Sequence, residues 1–128
     1  MDLSIIIPCY NSEKYLKNCL NSFCNQIKRY NKIEVILVND SSTDGTSKIL
    51  KSYGKKFKFI KILKNKKNLG VSLSRNLAIN RSRGNYILFL DSDDYLYENI
   101  LINLNIFIQE NIKCNVIVGR HTGQYETP

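Results

Sequence analysis

The sequence lacks the marks of a membrane span, an export signal, a zinc site and the common nucleotide fingerprints. No apolar run reaches the roughly 18 residues that a membrane-spanning helix needs. Met1-Asp2-Leu3-Ser4 leads into the short run Ile5-Ile6-Ile7, which is neither basic enough at its start nor long enough for a signal peptide. A cytoplasmic protein is therefore expected. The cysteines Cys9, Cys19, Cys24 and Cys114 form no C-x-x-C pair, and the single histidine is His121. That excludes zinc-ligand spacing, and without a secretory signal free thiols are expected rather than disulfides. Neither G-x-G-x-x-G nor a Walker loop occurs, which argues against common dinucleotide and P-loop sites. Arginine is scarce beside lysine. The basic stretch lacks the aromatic spacing of RNA-binding modules, and no helix-turn-helix signature appears, so no nucleic-acid partner is expected.

What is present is one domain's worth of chain: 128 residues, 43% hydrophobic, with a formal net charge of +8. The apolar fraction suffices for a real core and argues against disorder. The lysine excess concentrates between Lys48 and Lys67. Such a chain suits an anionic partner, either a phosphorylated small molecule or an anionic membrane surface; the plainer alternative is a solvated lysine face. No internal repeat or linker interrupts the sequence.

Leu3 to Pro8 and Ile33 to Val38 are short continuous apolar runs that predict buried strands. Ser12 is a candidate N-cap, with Glu13 in the first turn and Tyr15, Leu16, Cys19, Leu20 and Phe23 on one helical face. Residues from about Asp44 or Thr46 to Tyr53 predict a second helix closed by Gly54. Phe57 to Leu63 alternates apolar residues with lysine, which predicts an edge strand. Ser72 to Arg81 predicts a helix with Leu73, Leu77 and Ala78 inward. Tyr86 to Leu90 predicts a fourth strand, Leu96 to Asn111 a helix, and Asn115 to Gly119 a fifth strand. This alternation predicts an α/β fold with a mostly parallel sheet and helices on both faces. Ligands of such sheets bind outside the carboxyl ends of the strands. Three polar clusters fall there: Pro8-Cys9-Tyr10-Asn11, Asn39-Asp40-Ser41-Ser42 and Asp91-Ser92-Asp93-Asp94.

Three carboxylates within four residues, directly after an uncharged strand, repel one another unless a cation or donor groups offset the charge. Oxygen ligands of this kind suit Mn²⁺ or Mg²⁺, which would in turn ligate a diphosphate. Capping of the next helix accounts for one of the three carboxylates. An EF-hand loop starting at Asp91 is excluded by Leu96 and Ile102. Asp40, at a strand end, can accept from a ribose hydroxyl or a base N–H, or simply cap a turn before Gly45. Tyr10 can stack on a base or pack at the rim.

The stretches Ser4–Asn11, Val35–Thr46, Asn68-Leu69-Gly70 with Ser74-Arg75-Asn76, and Gly84–Asp94 together resemble the inverting nucleotide-sugar glycosyltransferases of family 2. These have the Rossmann-like GT-A fold. The resemblance covers nearly the whole chain, to about Val118, and implies that residues 1–128 are the nucleotide-sugar-binding part of such a domain, truncated before its acceptor-binding half. It implies a UDP-sugar donor, with Pro8 and Tyr10 lining the base pocket and Asp40 holding the base N3–H. By the same resemblance Arg75 would contact the nucleotide, and Asp91 the ribose or sugar. Asn11, Gly70 and Ser92 would complete the donor site, with Glu13 as a supporting hydrogen-bond partner. Asp93 would bind the metal of the D-x-D motif, Mn²⁺ or Mg²⁺, with Asp94 behind it. The implied acceptor is a saccharide or lipid-linked molecule, as in polysaccharide biosynthesis. Peripheral contact with the inner face of the membrane and a homodimer fit the same picture.

A catalytic base is not found in the matching region. After Asp94 the only acids are Glu98, Glu110 and Glu126, none at the family's position, so the fragment is expected to lack turnover alone. The alternative is a non-catalytic nucleotide-binding or interaction module that self-associates through apolar surface left uncovered. A sugar nucleotidyltransferase is disfavoured, because Pro8-Cys9-Tyr10-Asn11 is not a Gly-rich basic loop.

Overall fold

The two most apolar runs become the two central strands. In a computed structural model, which describes residues 2–28, 32–110 and 116, the chain runs β1 (Leu3–Cys9), α1 (Glu13–Ile27), β2 (Ile33–Asn39), α2 (Thr46–Lys56), β3 (Ile60–Lys64), α3 (Val71–Ile79), β4 (Tyr86–Phe89) and α4 (Ile100–Glu110). The four strands form one sheet in the order β3-β2-β1-β4, and every pairing is parallel. Ile5 stands opposite Val35 on one side and Leu88 on the other.

Successive side chains of a strand point to opposite faces, so β1 and β2 must be apolar throughout to be buried on both. Leu3, Ile5, Ile7 and Cys9, with Ile33, Val35 and Leu37, join the core beneath α1, α2 and α4. Ile6, Ile36 and Val38 meet Ala78 and Leu77 of α3 on the other face. The expected helices on both faces are present.

Leu16, Cys19, Leu20, Phe23, Cys24 and Ile27 of α1 are all buried. They recur at three- and four-residue steps and form the stripe a helix lays on a sheet. Each fully buried Leu, Ile or Phe side chain contributes about 1.5–3 kcal/mol of transfer free energy. Burial pushes the thiols of Cys9 and Cys24 up to about 12, so they behave as small apolar side chains. Cys9, Cys19 and Cys24 are free, as expected; Cys114 lies outside the described residues.

The edge position of β3 is as expected, although the strand begins at Ile60. Four expectations need correction. Tyr15 is not on the buried face; it is exposed, with the Lys14 ammonium 5.1 Å from its ring centre. Gly54 does not close α2, which continues to Lys56. A side chain there would run into Ile62 of β3, so the glycine serves close helix–strand packing. Leu73 is 53% exposed, because Ser74 and Ala78 occupy the sheet-facing positions of α3.

The helix expected from Leu96 begins only at Ile100. The Leu96 N–H donates to Ser22 Oγ at 3.0 Å, and Gln26 Nε2 donates to the Tyr97 carbonyl at 3.0 Å. Side chains of α1 thus satisfy backbone groups that a helix would otherwise have paired. Asn99 then turns through a positive φ of 63° before α4. The fifth strand expected at Asn115–Gly119 lies outside the described residues apart from Val116.

Candidate functional site

Parallel strands deliver all their carboxyl ends to one edge of the sheet, and the three polar clusters meet there. They line a cleft of about 420 Å³ formed by Pro8, Cys9 and Tyr10 after β1, Asp40 after β2, Asn68, Gly70 and Val71 at the start of α3, and Asp91, Ser92 and Asp93 after β4. Tyr10 is 50% exposed, which leaves a ring surface available for stacking.

Asp40 is the anchor of the cleft floor. It is only 3% exposed. Its Oδ1 accepts from Asn65 Nδ2 at 2.7 Å and from the Leu69 N–H at 2.8 Å, and its Oδ2 accepts from the Gly70 N–H at 2.8 Å. Burial alone would raise its pKa. The hydrogen bonds from Asn65, Leu69, Gly70 and Ser74 outweigh burial, so the carboxyl sits below its ordinary range and stays ionised. Gly70 adopts φ 86°, a conformation that glycine reaches without steric cost, and this aims its N–H at Asp40. The Leu69 and Gly70 amides just before α3 are therefore spent on Asp40.

The β1–α1 and β2–α2 loops are laced together. The Asn11 N–H donates to Ser42 Oγ at 3.1 Å, while Asn11 Oδ1 accepts from the Thr43 N–H at 2.9 Å. The Ser12 N–H donates to Thr46 Oγ1 at 2.8 Å. The Glu13 N–H donates to Asp44 Oδ2 at 3.1 Å, and Glu13 Oε2 accepts from the Gly45 N–H at 2.8 Å. Each helix thus begins on an acid from the other loop, at the end where the helix dipole favours negative charge. Asn11 and Glu13 do not line the cleft; they fix the loop that carries Tyr10.

On the β4 side, Arg75 Nη2 donates to Asp91 Oδ1 at 2.6 Å. Its guanidinium lies 5.2 Å from the Phe89 ring centre, a cation–π contact. Arg75 Nε is buried without a hydrogen-bond partner. Asp93 is an exposed carboxylate at the cleft wall. Among the described residues no three His, Cys, Asp or Glu side chains converge into a ready-made ion cage. The donor set nevertheless fits a hard cation shared with a ligand, because Mg²⁺-type sites commonly use one or two carboxylates plus substrate phosphates.

The structure thus gathers Pro8, Tyr10, Asp40, Gly70, Asp91, Ser92 and Asp93 at one cleft and joins Arg75 to it through Asp91. Sequence reasoning missed Asn65 and Ser74, which orient Asp40, and Asp44, which caps α1. Asn65 lies among lysines and gives no local sign of its role. Among the described residues, no helix is long and apolar enough to cross a membrane.

Comparison with known proteins agrees with this geometry. The sequence model of Glycosyl transferase family 2 matches residues 4–128. A poly(ribitol-phosphate) beta-glucosyltransferase of Bacillus spizizenii is 39% identical over 96% of this chain and 19% of its own length. The poly(ribitol-phosphate) beta-N-acetylglucosaminyltransferase TarS of Staphylococcus aureus is 38% identical over 97% of this chain and 23% of its own. The crystal structure of S. aureus TarS 1-349 in complex with UDP-GlcNAc superposes with a TM-score of 0.82 at 36% identity, covering 97% of this chain and 37% of that one. The chain therefore spans roughly a fifth of the length of these two curated relatives. With the matched strands, loops and acidic motif all in their expected places on a GT-A fold, the chain belongs to glycosyl transferase family 2.

Proposed function

We propose that the cleft binds a metal–UDP-sugar and that the chain is the donor-binding part of an inverting glycosyltransferase domain. The observation that carries this reading is the meeting of Tyr10, Asp40, Asp91 and Asp93 around one cleft, with Arg75 joined to it through Asp91. A diphosphate there can share its charge between Arg75 and a cation held by Asp93. The TarS structure solved with UDP-GlcNAc supports uracil as the base. The poly(ribitol-phosphate) enzymes among the relatives support a polymer acceptor.

In this reading Tyr10 stacks on the base and Pro8 walls its pocket. Asp40 is the ionised acceptor that a base N3–H can use, while Asp91, paired with Arg75, faces the ribose or sugar. Asp93 would hold Mn²⁺ or Mg²⁺, which when bound neutralises charge developing on the leaving diphosphate. Asn11 and Glu13 keep the Tyr10 loop in place. The acceptor hydroxyl needs a general base. Among the described residues after Asp94 the carboxylates are Glu98 and Glu110, neither of which lines the cleft. The base belongs to an acceptor-binding half outside this region.

The test is thermal unfolding with UDP and Mn²⁺. At ligand concentrations about 100-fold above Kd, binding adds about 2.7 kcal/mol to stability. Wild-type chain should melt at higher temperature with UDP and Mn²⁺ together, and Asp93→Ala should lose the Mn²⁺-dependent part. A wild type indifferent to every nucleoside diphosphate would sink the assignment. Sugar transfer by the 128-residue chain alone would overturn the placement of the base.

A second reading, a self-associating module without turnover, draws on the outer strand β4. Its Tyr86-Ile87-Leu88-Phe89 carries no charge, and Ile87 and Phe89 are exposed. Solution mass discriminates between the readings. A dimer that Ile87→Lys dissolves without altering UDP binding would favour self-association through this edge.

A further inference from the structure

Ser12 stands where three loops meet, and its hydroxyl is used in an unusual way. It occupies the N-cap position of α1, yet it makes no side-chain cap hydrogen bond. An N-cap serine ordinarily accepts from the second or third amide of its own helix. Here the third amide, of Tyr15, donates to the Ser12 carbonyl at 3.0 Å, and the first, of Glu13, donates to Asp44 Oδ2 from the β2–α2 loop at 3.1 Å. The freed Ser12 Oγ lies 2.7 Å from Ser92 Oγ, 80 residues along the chain, and 3.3 Å from the Tyr10 carbonyl. A hydroxyl has one proton to give. If Ser12 donates to the Tyr10 carbonyl, Ser92 must donate to Ser12. One chain of two bonds then joins the loop bearing Tyr10 to the turn bearing Asp91 and Asp93.

Two further contacts make this junction part of the fold. The Ser12 N–H donates to Thr46 Oγ1 at 2.8 Å, and Ser12 is 5% exposed. Two turns along α1, Cys19 Sγ donates to the Asp91 carbonyl at 3.6 Å. The first half of α1, with its cap, therefore holds both the backbone and a side chain of the acidic turn.

We propose that Ser12 is a positioning residue. Acting through Ser92, it sets the Asp91–Asp93 turn against the Tyr10 loop, so that the stacking ring and the metal-holding carboxylate address one ligand. This rests on the reading of the cleft as a metal–UDP site, and a single set of titrations separates the two. UDP affinity is measured by calorimetry with and without Mn²⁺ on the full chain of wild type, Ser12→Ala, Ser12→Thr, Ser92→Ala and the double Ala variant.

The quantity read is the factor by which Mn²⁺ tightens UDP. Loss of one neutral hydrogen bond's worth of positioning should cut that factor about fivefold in each single Ala variant, and Ser12→Ala, whose side chain does not line the cleft, should leave metal-free UDP binding within about twofold of wild type. The double variant should be no worse than either single one, because both act through one contact. Ser12→Thr, which keeps the hydroxyl, should restore the factor. Melting of the ligand-free variants should show the same non-additivity.

The proposal is overturned if Ser12→Ala keeps the full Mn²⁺ factor, if metal-free and metal-dependent binding weaken together, or if the two Ala effects multiply. A wild type that binds no UDP overturns the reading of the cleft itself and this proposal with it.

Discussion

The wall of the cleft built from the ends of β1 and β2 is tied at nearly every polar position, whereas the wall that follows β4 is left largely open. On the first, Asn11, Ser12, Glu13, Asp44 and Thr46 exchange hydrogen bonds between loops, and Asp40 gathers Asn65, Leu69 and Gly70. On the second, Asp91 shares one ion pair with Arg75, and Asp93 is an exposed carboxylate. The difference separates two kinds of work. The tied wall is stabilised by its polar groups and presents a fixed surface. The open wall keeps carboxylates in reach of solvent, where a cation and a diphosphate can replace water as their partners. The Ser12–Ser92 contact joins the two.

The strongest way to break the contrast is to attack the tied wall at its anchor. Asp40→Ala leaves the Asn65 amide and the Leu69 and Gly70 N–H groups without their acceptor, and the expected loss is about 3 kcal/mol, read as a drop in the urea midpoint. Acid probes the same wall. Burial alone would raise the carboxyls of Asp40 and Asp44, but their hydrogen bonds bring both below their ordinary values. Such groups contribute stability that is present above their unfolded pKa and lost as pH falls through the folded one. Unfolding should therefore become easier below about pH 4, and Asp40→Asn should flatten that part of the profile.

A smaller effect is expected at Gly45. A side chain there would occupy the space of the Glu13 carboxylate. The glutamate can swing away, at the cost of its bond from the Gly45 N–H, so Gly45→Ala should cost about 1 kcal/mol by thermal melting. The smallest stability change belongs to the open wall. Asp93→Ala should melt like wild type without ligand and yet lose the Mn²⁺-dependent gain in UDP binding. If Asp93→Ala instead destabilised the ligand-free chain as Asp40→Ala does, the contrast between the walls would fail.

Much of this was legible in the residues. Uninterrupted apolar runs at Ile5–Ile7 and Val35–Val38 sufficed for buried parallel strands, and Asp91-Ser92-Asp93-Asp94 after an uncharged strand marked the site. Leu73 was misread because hydrophobicity alone does not say which turn of a short helix faces the sheet; the small Ser74 and Ala78 fit closer to it. Residues 96–99 were misread because helical spacing in a sequence carries no sign of Ser22 and Gln26 waiting on α1 to bind their backbone. Glu13, expected as a supporting hydrogen-bond partner, accepts from the Gly45 N–H, and Asn11, expected in the donor site, also turns its side chain to the neighbouring loop.

The sequence by itself determined the alternation of strands and helices, the edge where the polar clusters gather, and the chemical types found there, because these follow from local patterns of burial and charge. The tertiary structure alone decided which polar groups are spent on one another and which remain for a ligand. That depends on partners 25 to 80 residues apart, such as Asp40 with Asn65 and Ser12 with Ser92, and a hydrogen bond is satisfied only by an atom within about 3 Å, wherever along the chain that atom belongs.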